Sequence, residues 1–158
     1  MISKILTQDE LARAVDDAKA QGKTVVFTNG CFDILHVGHV RYLAEAKRHG
    51  DLLAVGLNSD RSVREIKGPK RPIVPEEERA EVLAALESVD FVAIFDEPDP
   101  LNLIKAVMPQ VMVKGADWPE DQIIGAKEVK AAGGKVVRVE LAQGASTTNI
   151  IQRVLERG

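Results

Sequence analysis

The chain is nearly devoid of cysteine. Cys31 stands alone, so no internal disulfide can form, and a reducing cytoplasm is the expected setting. There is no basic excess either: 21 Lys and Arg face 24 Asp and Glu, a net charge of −3. A general nucleic-acid binder is therefore not expected, because counterion release needs a basic surface. No apolar run approaches a membrane span, and the N-terminus lacks a signal-peptide pattern. Two common nucleotide motifs are missing, the G-x-x-x-x-G-K-[ST] loop and a G-x-G-x-x-G after the first strand. No Ser–His–Asp or Cys–His pattern stands in a recognisable context. No helix pairs histidines with a glutamate at metalloprotease spacing, so no protein-held metal is expected.

What is present suits one soluble globular domain spanning residues 1–158, with 45% apolar and 28% charged residues. It is organised around Thr28-Asn29-Gly30-Cys31-Phe32-Asp33-Ile34-Leu35-His36-Val37-Gly38-His39. The apolar run Thr24–Phe27 leads in as a strand, and a helical pattern from about Val40 to His49 leads out. Gly30 would permit close backbone approach, and Gly38 would open the helix. A helix start offers free N–H groups and the positive end of the helix dipole, which suits a phosphate. His36 and His39, three apart, can both face one anion there.

Either side of this turn the pattern alternates. Thr7 and Glu10 form a capping box, with Leu6 and Leu11 as a staple, before a helix ended by Gly22. Leu52–Leu57 reads as a strand buried on both faces. From Asn58 to Pro75 the pattern is lost in a segment crowded with Arg61, Arg64, Lys67, Lys70 and Arg71, which predicts a long loop that is mobile until ligand binds. Pro75 and three glutamates then open a helix with Val82, Leu83 and Leu86 facing the core. Phe91–Phe95 is a strand, and Asp99-Pro100 start a short helix to Met108 as N-cap and first residue. Val111–Val113 and Val136–Val139 are two further strands, separated by a helix from about Ile123 to Gly133. Ile150, Ile151, Val154 and Leu155 line a last helix.

Strands alternating with helices predict an α/β fold: a Rossmann-like, doubly wound sheet of about five parallel strands with helices on both faces. Ligands of such sheets bind beyond the carboxyl ends of the strands. All four polar clusters follow strands: Gly30–His39, Asn58–Arg71, Lys114–Trp118 and Gly144–Thr148. Taken singly, each has an ordinary explanation. The histidines could be satisfied surface residues, the lysines a solvated loop, Ser146 or Thr147 a helix cap, and Trp118 half-buried packing. Cys31 is most simply a small packed side chain. Their common position beyond strand ends instead predicts one site for phosphate chemistry, where positioning and charge neutralisation matter most.

Gly30-Cys31-Phe32-Asp33 with His36-Val37-Gly38-His39 resembles the G-x-F-D-x-x-H-x-G-H signature of the cytidylyltransferase-like nucleotidyltransferases. Ala145-Ser146-Thr147-Thr148 resembles their second signature, R-T-E-G-I-S-T-T in the glycerol-3-phosphate cytidylyltransferases. The leading arginine is absent from Glu140-Leu141-Ala142-Gln143-Gly144, which counts against cytidine recognition of that type. The stretch Phe27–His36, Asn58-Ser59-Asp60, Lys67-Gly68 with Arg71-Pro72, Val113-Lys114-Gly115 with Asp117, and Ser146–Ile151 are together similar to the D-glycero-β-D-manno-heptose 1-phosphate adenylyltransferases. The likeness runs from about Val25 to Val154.

That resemblance implies transfer of AMP from ATP to the heptose 1-phosphate, giving ADP-heptose and pyrophosphate, with Mg²⁺ carried on the triphosphate. The product would feed lipopolysaccharide core or other surface glycans. The alternative is a cytidylyltransferase, or another nucleotidyltransferase, acting on a phosphorylated acceptor such as glycerol 3-phosphate. By the same resemblance His36, His39 and Lys67 would be catalytic. Gly30, Cys31, Phe32, Lys114, Asp117, Trp118, Ser146 and Thr147, with both histidines, would bind the nucleotide. Asp33, Asn58, Lys67, Arg71 and Arg79 would hold the acceptor, Asp33 by orienting a lysine or by touching acceptor or metal. A homodimer is implied, as is a separate sugar kinase upstream, since relatives are often fused behind one.

Overall fold

The computed structural model describes residues 3–141 and 146–158. Its strands are β1 (Val25–Gly30), β2 (Leu52–Asn58), β3 (Phe91–Phe95), β4 (Val111–Gly115) and β5 (Lys135–Val139). All pair in parallel, in the order β3-β2-β1-β4-β5. The helices are α1 (Gln8–Ala20), α2 (Val37–Lys47), α3 (Asp60–Lys67), α4 (Glu76–Ala84), α5 (Leu101–Val107), α6 (Ala126–Ala131) and α7 (Thr147–Arg157). The doubly wound sheet expected from the alternation is thus observed. The chain builds outward from β1 to β3, then returns to lay β4 on the other side of β1. β1 and β4 therefore flank the point where the winding reverses, and a crevice opens beyond their carboxyl ends.

Strand alternation sorts the core into two layers. Val25 and Phe27 join Ala54, Phe95 and Met112 in a layer closed by α1, α5 and α6. Val26 joins Leu53, Val55, Leu57 and Val113 in a layer under α2 and α4. Each of these large buried side chains stabilises the fold by roughly 1.5–3 kcal/mol. The two layers fix the sheet from both faces, so the loops at its carboxyl edge start from rigid positions.

Several local expectations need correction. The segment after β2 is not a loop throughout, because residues 60–67 form α3. Ser59 caps it, accepting from Ser62 N at 3.1 Å, and Arg64 and Lys67 occupy its last turn. Only Ser62 and Val63 are buried, so apolar periodicity gives no sign of this helix, and the capping serine is its only signature. In α4 the inward residues are Arg79, Ala80 and Leu83, whereas Val82 is 48% exposed. Pro75 is the N-cap of α4, and Pro100 rather than Asp99 is the N-cap of α5. Asp99 still helps, its carboxylate accepting from Leu101 N at 2.9 Å. A single 3-10 turn, Glu120–Gln122, precedes α6, which begins only at Ala126. α7 has no buried residue, with Leu155 76% exposed. Gln143-Gly144-Ala145, part of the fourth polar cluster, lies outside the described residues. Among the described residues no helix is long and apolar enough to cross a membrane.

Candidate active site

The turn after β1 is built around a buried ring. Phe32 has φ +45°, in the left-handed region that side chains other than glycine seldom adopt. Its ring packs edge-on to His39, with centroids 5.3 Å apart. A Cβ on Gly30 would come within 2.9 Å of that ring. Gly30 therefore makes room for Phe32, and Phe32 seats His39. Phe32 itself is buried and supports the site from below, without facing a ligand.

His36 is the N-cap of α2, so the helix opens one residue before Gly38. Gly38 N donates to His36 Nδ1 at 3.0 Å, and His36 N donates to His39 Nδ1 at 3.3 Å. The rings stack with centroids 3.9 Å apart. Both Nδ1 atoms accept, so each neutral ring carries its proton on Nε2. Burial lowers the pKa of His36, and burial with the neighbouring His36 lowers that of His39 to about 4. Neutral rings cannot repel each other as two imidazoliums would. The helix start thus presents two fixed, uncharged Nε2–H donors beside its own N–H groups.

The other clusters are tied to this turn. Asp33 accepts from Arg71 Nε at 2.7 Å, from Ile73 N at 2.9 Å and from Val74 N at 2.9 Å. Burial opposes its ionisation, but those donors outweigh it and hold the carboxyl below its usual range. The Arg71 side chain and the backbone at 73 and 74 are therefore fastened to the central turn. Thr147 donates through Oγ1 to Ile34 O at 3.2 Å, bringing the start of α7 to the same turn, while Ser146 caps α7 by accepting from Asn149 N. Burial pushes the Cys31 thiol up, and Lys67, Arg79 and Arg71 pull against it. Cys31 thus lies within the field of the cations that follow β2.

Lys114, at the end of β4, sits 5.6 Å over the Trp118 ring, and burial lowers its pKa while the Asp117 carboxylate pulls the other way. Trp118 is 46% exposed, so its ring has a face free for a ligand. One residue outside the sequence expectations holds this side together. Tyr42 shares a 2.8 Å bond with Thr28 and donates to Val113 O at 3.2 Å, pinning α2 to β1 and β4. Burial, with Asp117 nearby, pushes its hydroxyl pKa up to about 12 despite the Thr28 bond, so it remains a donor. Its place one turn after Gly38, on the inward face of α2, is the only hint the sequence offers. A groove of about 500 Å³ runs from Gly38 and Tyr42 to Val137–Glu140.

Arg79 and Asn58 do not open onto the crevice. Arg79 is 1% exposed and bonds Val74 O, Cys31 O, Asn58 O and the Asp60 carboxylate, all at 2.7–2.8 Å. Asn58 is 4% exposed and donates to Ser62 Oγ. Both brace the ends of β1 and β2. Among the described residues no group of three or more His, Cys, Asp and Glu could hold a metal ion.

The pattern of the cytidylyltransferase-like family matches residues 27–153. The chain is 52% identical over 155 residues to the bifunctional protein HldE of Syntrophotalea carbinolica, covering 98% of this chain and 32% of that protein. It is 53% identical over 154 residues to the HldE of Geobacter sulfurreducens, covering 98% of this chain and 31% of that protein. It therefore spans about a third of the length of these relatives. Among solved structures, the lipopolysaccharide core biosynthesis protein of Thermoplasma volcanium superposes with TM-score 0.66 at 31% identity, over 77% of this chain and all of that one. A pantoate-beta-alanine ligase of Francisella tularensis shares the fold alone, with TM-score 0.61 at 13% identity over 99% of this chain and 80% of the ligase. The family match spans most of the chain, histidine turn included, and the chain belongs to the cytidylyltransferase-like family.

Proposed function

We propose that this chain transfers AMP from ATP to D-glycero-β-D-manno-heptose 1-phosphate, releasing pyrophosphate and forming ADP-heptose. One observation carries the reading. The segments after β2 and β5 are fastened to the histidine turn through Arg71–Asp33 and Thr147–Ile34, and β4 is tied to the helix that leaves this turn through Tyr42–Val113. The 52% identity to HldE over nearly the whole chain, and the likeness to a solved lipopolysaccharide core biosynthesis protein, support this acceptor class.

In this reaction an oxygen of the acceptor's phosphate attacks the α-phosphorus of ATP. The bond from that phosphorus to the bridging oxygen breaks, and pyrophosphate leaves with the electron pair. The Nε2–H groups of His36 and His39 donate to the α-phosphate oxygens as charge shifts across them. Because the rings are already oriented by backbone N–H groups, no reorganisation is needed at the moment of reaction. Lys67 and Arg71 neutralise the incoming acceptor phosphate from the β2 side. Lys114, Asp117 and Trp118 take the nucleoside on the β4 side, and Ser146 and Thr147 face the triphosphate. Mg²⁺ accompanies the triphosphate and offsets its charge.

The same reading places the protein in the cytoplasm, as a homodimer. A sugar kinase, on this polypeptide or another, must supply the heptose 1-phosphate. The product would serve lipopolysaccharide core or related surface glycans. A pyrophosphate-release assay over four nucleoside triphosphates and a panel of phosphorylated acceptors tests it. Preference for CTP with glycerol 3-phosphate would replace the adenylyl reading, and ATP binding with no pyrophosphate over the whole panel would indicate a nucleotide sensor.

A further inference from the structure

We infer that Asp33 is a positioning residue that aims Arg71 at the acceptor's phosphate, and that it touches neither the acceptor nor a metal. This rests on the function proposed above. The Asp33 side chain is 1% exposed, and its two oxygens already accept from three donors, Arg71 Nε, Ile73 N and Val74 N. A carboxylate so enclosed has no free lone pair facing the crevice. Arg71 is the opposite case. It is held through Nε, and among the described residues its two terminal nitrogens have no protein partner. A guanidinium gripped from one side in this way keeps a rigid pair of N–H donors for a second oxyanion.

The arrangement also sets distance. Asp33 stands three residues before His36 in the same turn, and the same carboxylate fixes the backbone at 73 and 74. One salt bridge and three residues of chain therefore join the cation for the attacking phosphate to the donors for the attacked one. In-line transfer requires those two phosphates to be held together to a fraction of an ångström, and a freely rotating arginine could not do this. Burying a carboxylate merely to stabilise the loop would be a poor solution, since two apolar side chains could close the same contact without desolvating charge.

The test is a double-mutant cycle of Asp33→Asn and Arg71→Ala, with KM for acceptor and for ATP measured separately. Asp33→Asn preserves shape and an oxygen for the backbone N–H groups, but no longer offers Arg71 a carboxylate. Its acceptor KM should rise about 10–100-fold, the effect of losing one hydrogen bond to a charged group, while ATP KM stays within about twofold. In the Arg71→Ala background the same change should add less than about twofold. The Arg71 Nε–H resonance, slowly exchanging in the wild type, should exchange fast in Asp33→Asn. Additive effects in the cycle, or equal rises for both substrates, would overturn the inference. Should the wild type turn over no sugar 1-phosphate, the functional reading fails on its own account. Positioning is then decided by inorganic phosphate binding and the Nε–H resonance. Equal weakening by Asp33→Asn and Arg71→Ala with loss of the protected signal supports it, and an unchanged signal or unchanged binding in Asp33→Asn overturns it.

Discussion

His36 and His39 stack at 3.9 Å, and each accepts a backbone N–H of one helix start through Nδ1. The helix cap and the donors proposed for the α-phosphate are therefore the same two rings. Capping and donation use opposite nitrogens, so substitution can separate them.

His39→Asn keeps an oxygen near the position of Nδ1 and loses the distal donor. His39→Gln keeps a distal N–H and loses the cap acceptor. Turnover should fall about 10²–10³-fold in His39→Asn and His39→Ala, the usual effect of removing one such donor, with ATP KM little changed. His39→Gln should retain more activity than either, although its melting temperature falls furthest from that of the Asn variant. Single-turnover rates measured beside thermal melts check this. A Gln variant as slow as Ala would argue that the ring must carry charge.

The histidine pair also predicts how stability depends on pH. The folded pKa of His39, about 4, lies below its ordinary 6.5, so the unfolded chain binds more protons between those values. The contribution from His39 is full above about pH 6.5 and is lost as pH falls toward 4. Asp33 acts in a lower window: its depressed pKa adds stability above its ordinary 3.8 that disappears as pH falls through the folded value. Urea denaturation at a series of pH values should show stability rising through the upper window, with a shallower rise in His39→Asn. An unchanged slope in that variant would contradict the neutral assignment.

Arg79 should behave as scaffold. Arg79→Met leaves the Asp60 carboxylate and three carbonyls without their donor, and should destabilise the fold by about 3–5 kcal/mol. Arg79→Lys should rescue little, because an ammonium cannot span the same four acceptors. Denaturant melts decide the matter. A stable Arg79→Met variant with weakened acceptor binding would return Arg79 to the substrate.

How far the sequence revealed this molecule depended on what each segment buries. The strands were legible because Leu52–Leu57 and Phe91–Phe95 are apolar on both faces, as a sheet between two helical layers requires. The histidine turn was legible because glycine and paired histidines at a strand–helix junction have few other uses. α3 was hidden because it buries only Ser62 and Val63. The burial of Arg79 was hidden because an arginine reads as a ligand for phosphate, and nothing local shows that four protein oxygens await it. Val154 and Leu155 show the converse, since an amphipathic pattern establishes a helix without establishing that its apolar face is covered.

Trp118 offers a separate check on the nucleoside side. If the base stacks on its exposed face, Trp118→Ala should raise KM for ATP roughly tenfold and leave acceptor KM unchanged. Equal effects on both substrates would mean that the ring only packs against Lys114.

The most direct measurement of the central claim is pyrophosphate release from ATP and Mg²⁺ with D-glycero-β-D-manno-heptose 1-phosphate, with the sugar nucleotide identified by mass. The account predicts stoichiometric ADP-heptose and pyrophosphate, loss of both when the acceptor's phosphate is omitted, and little product when CTP replaces ATP. Faster turnover with CTP, or no ADP-heptose from a folded chain that binds ATP, would contradict it.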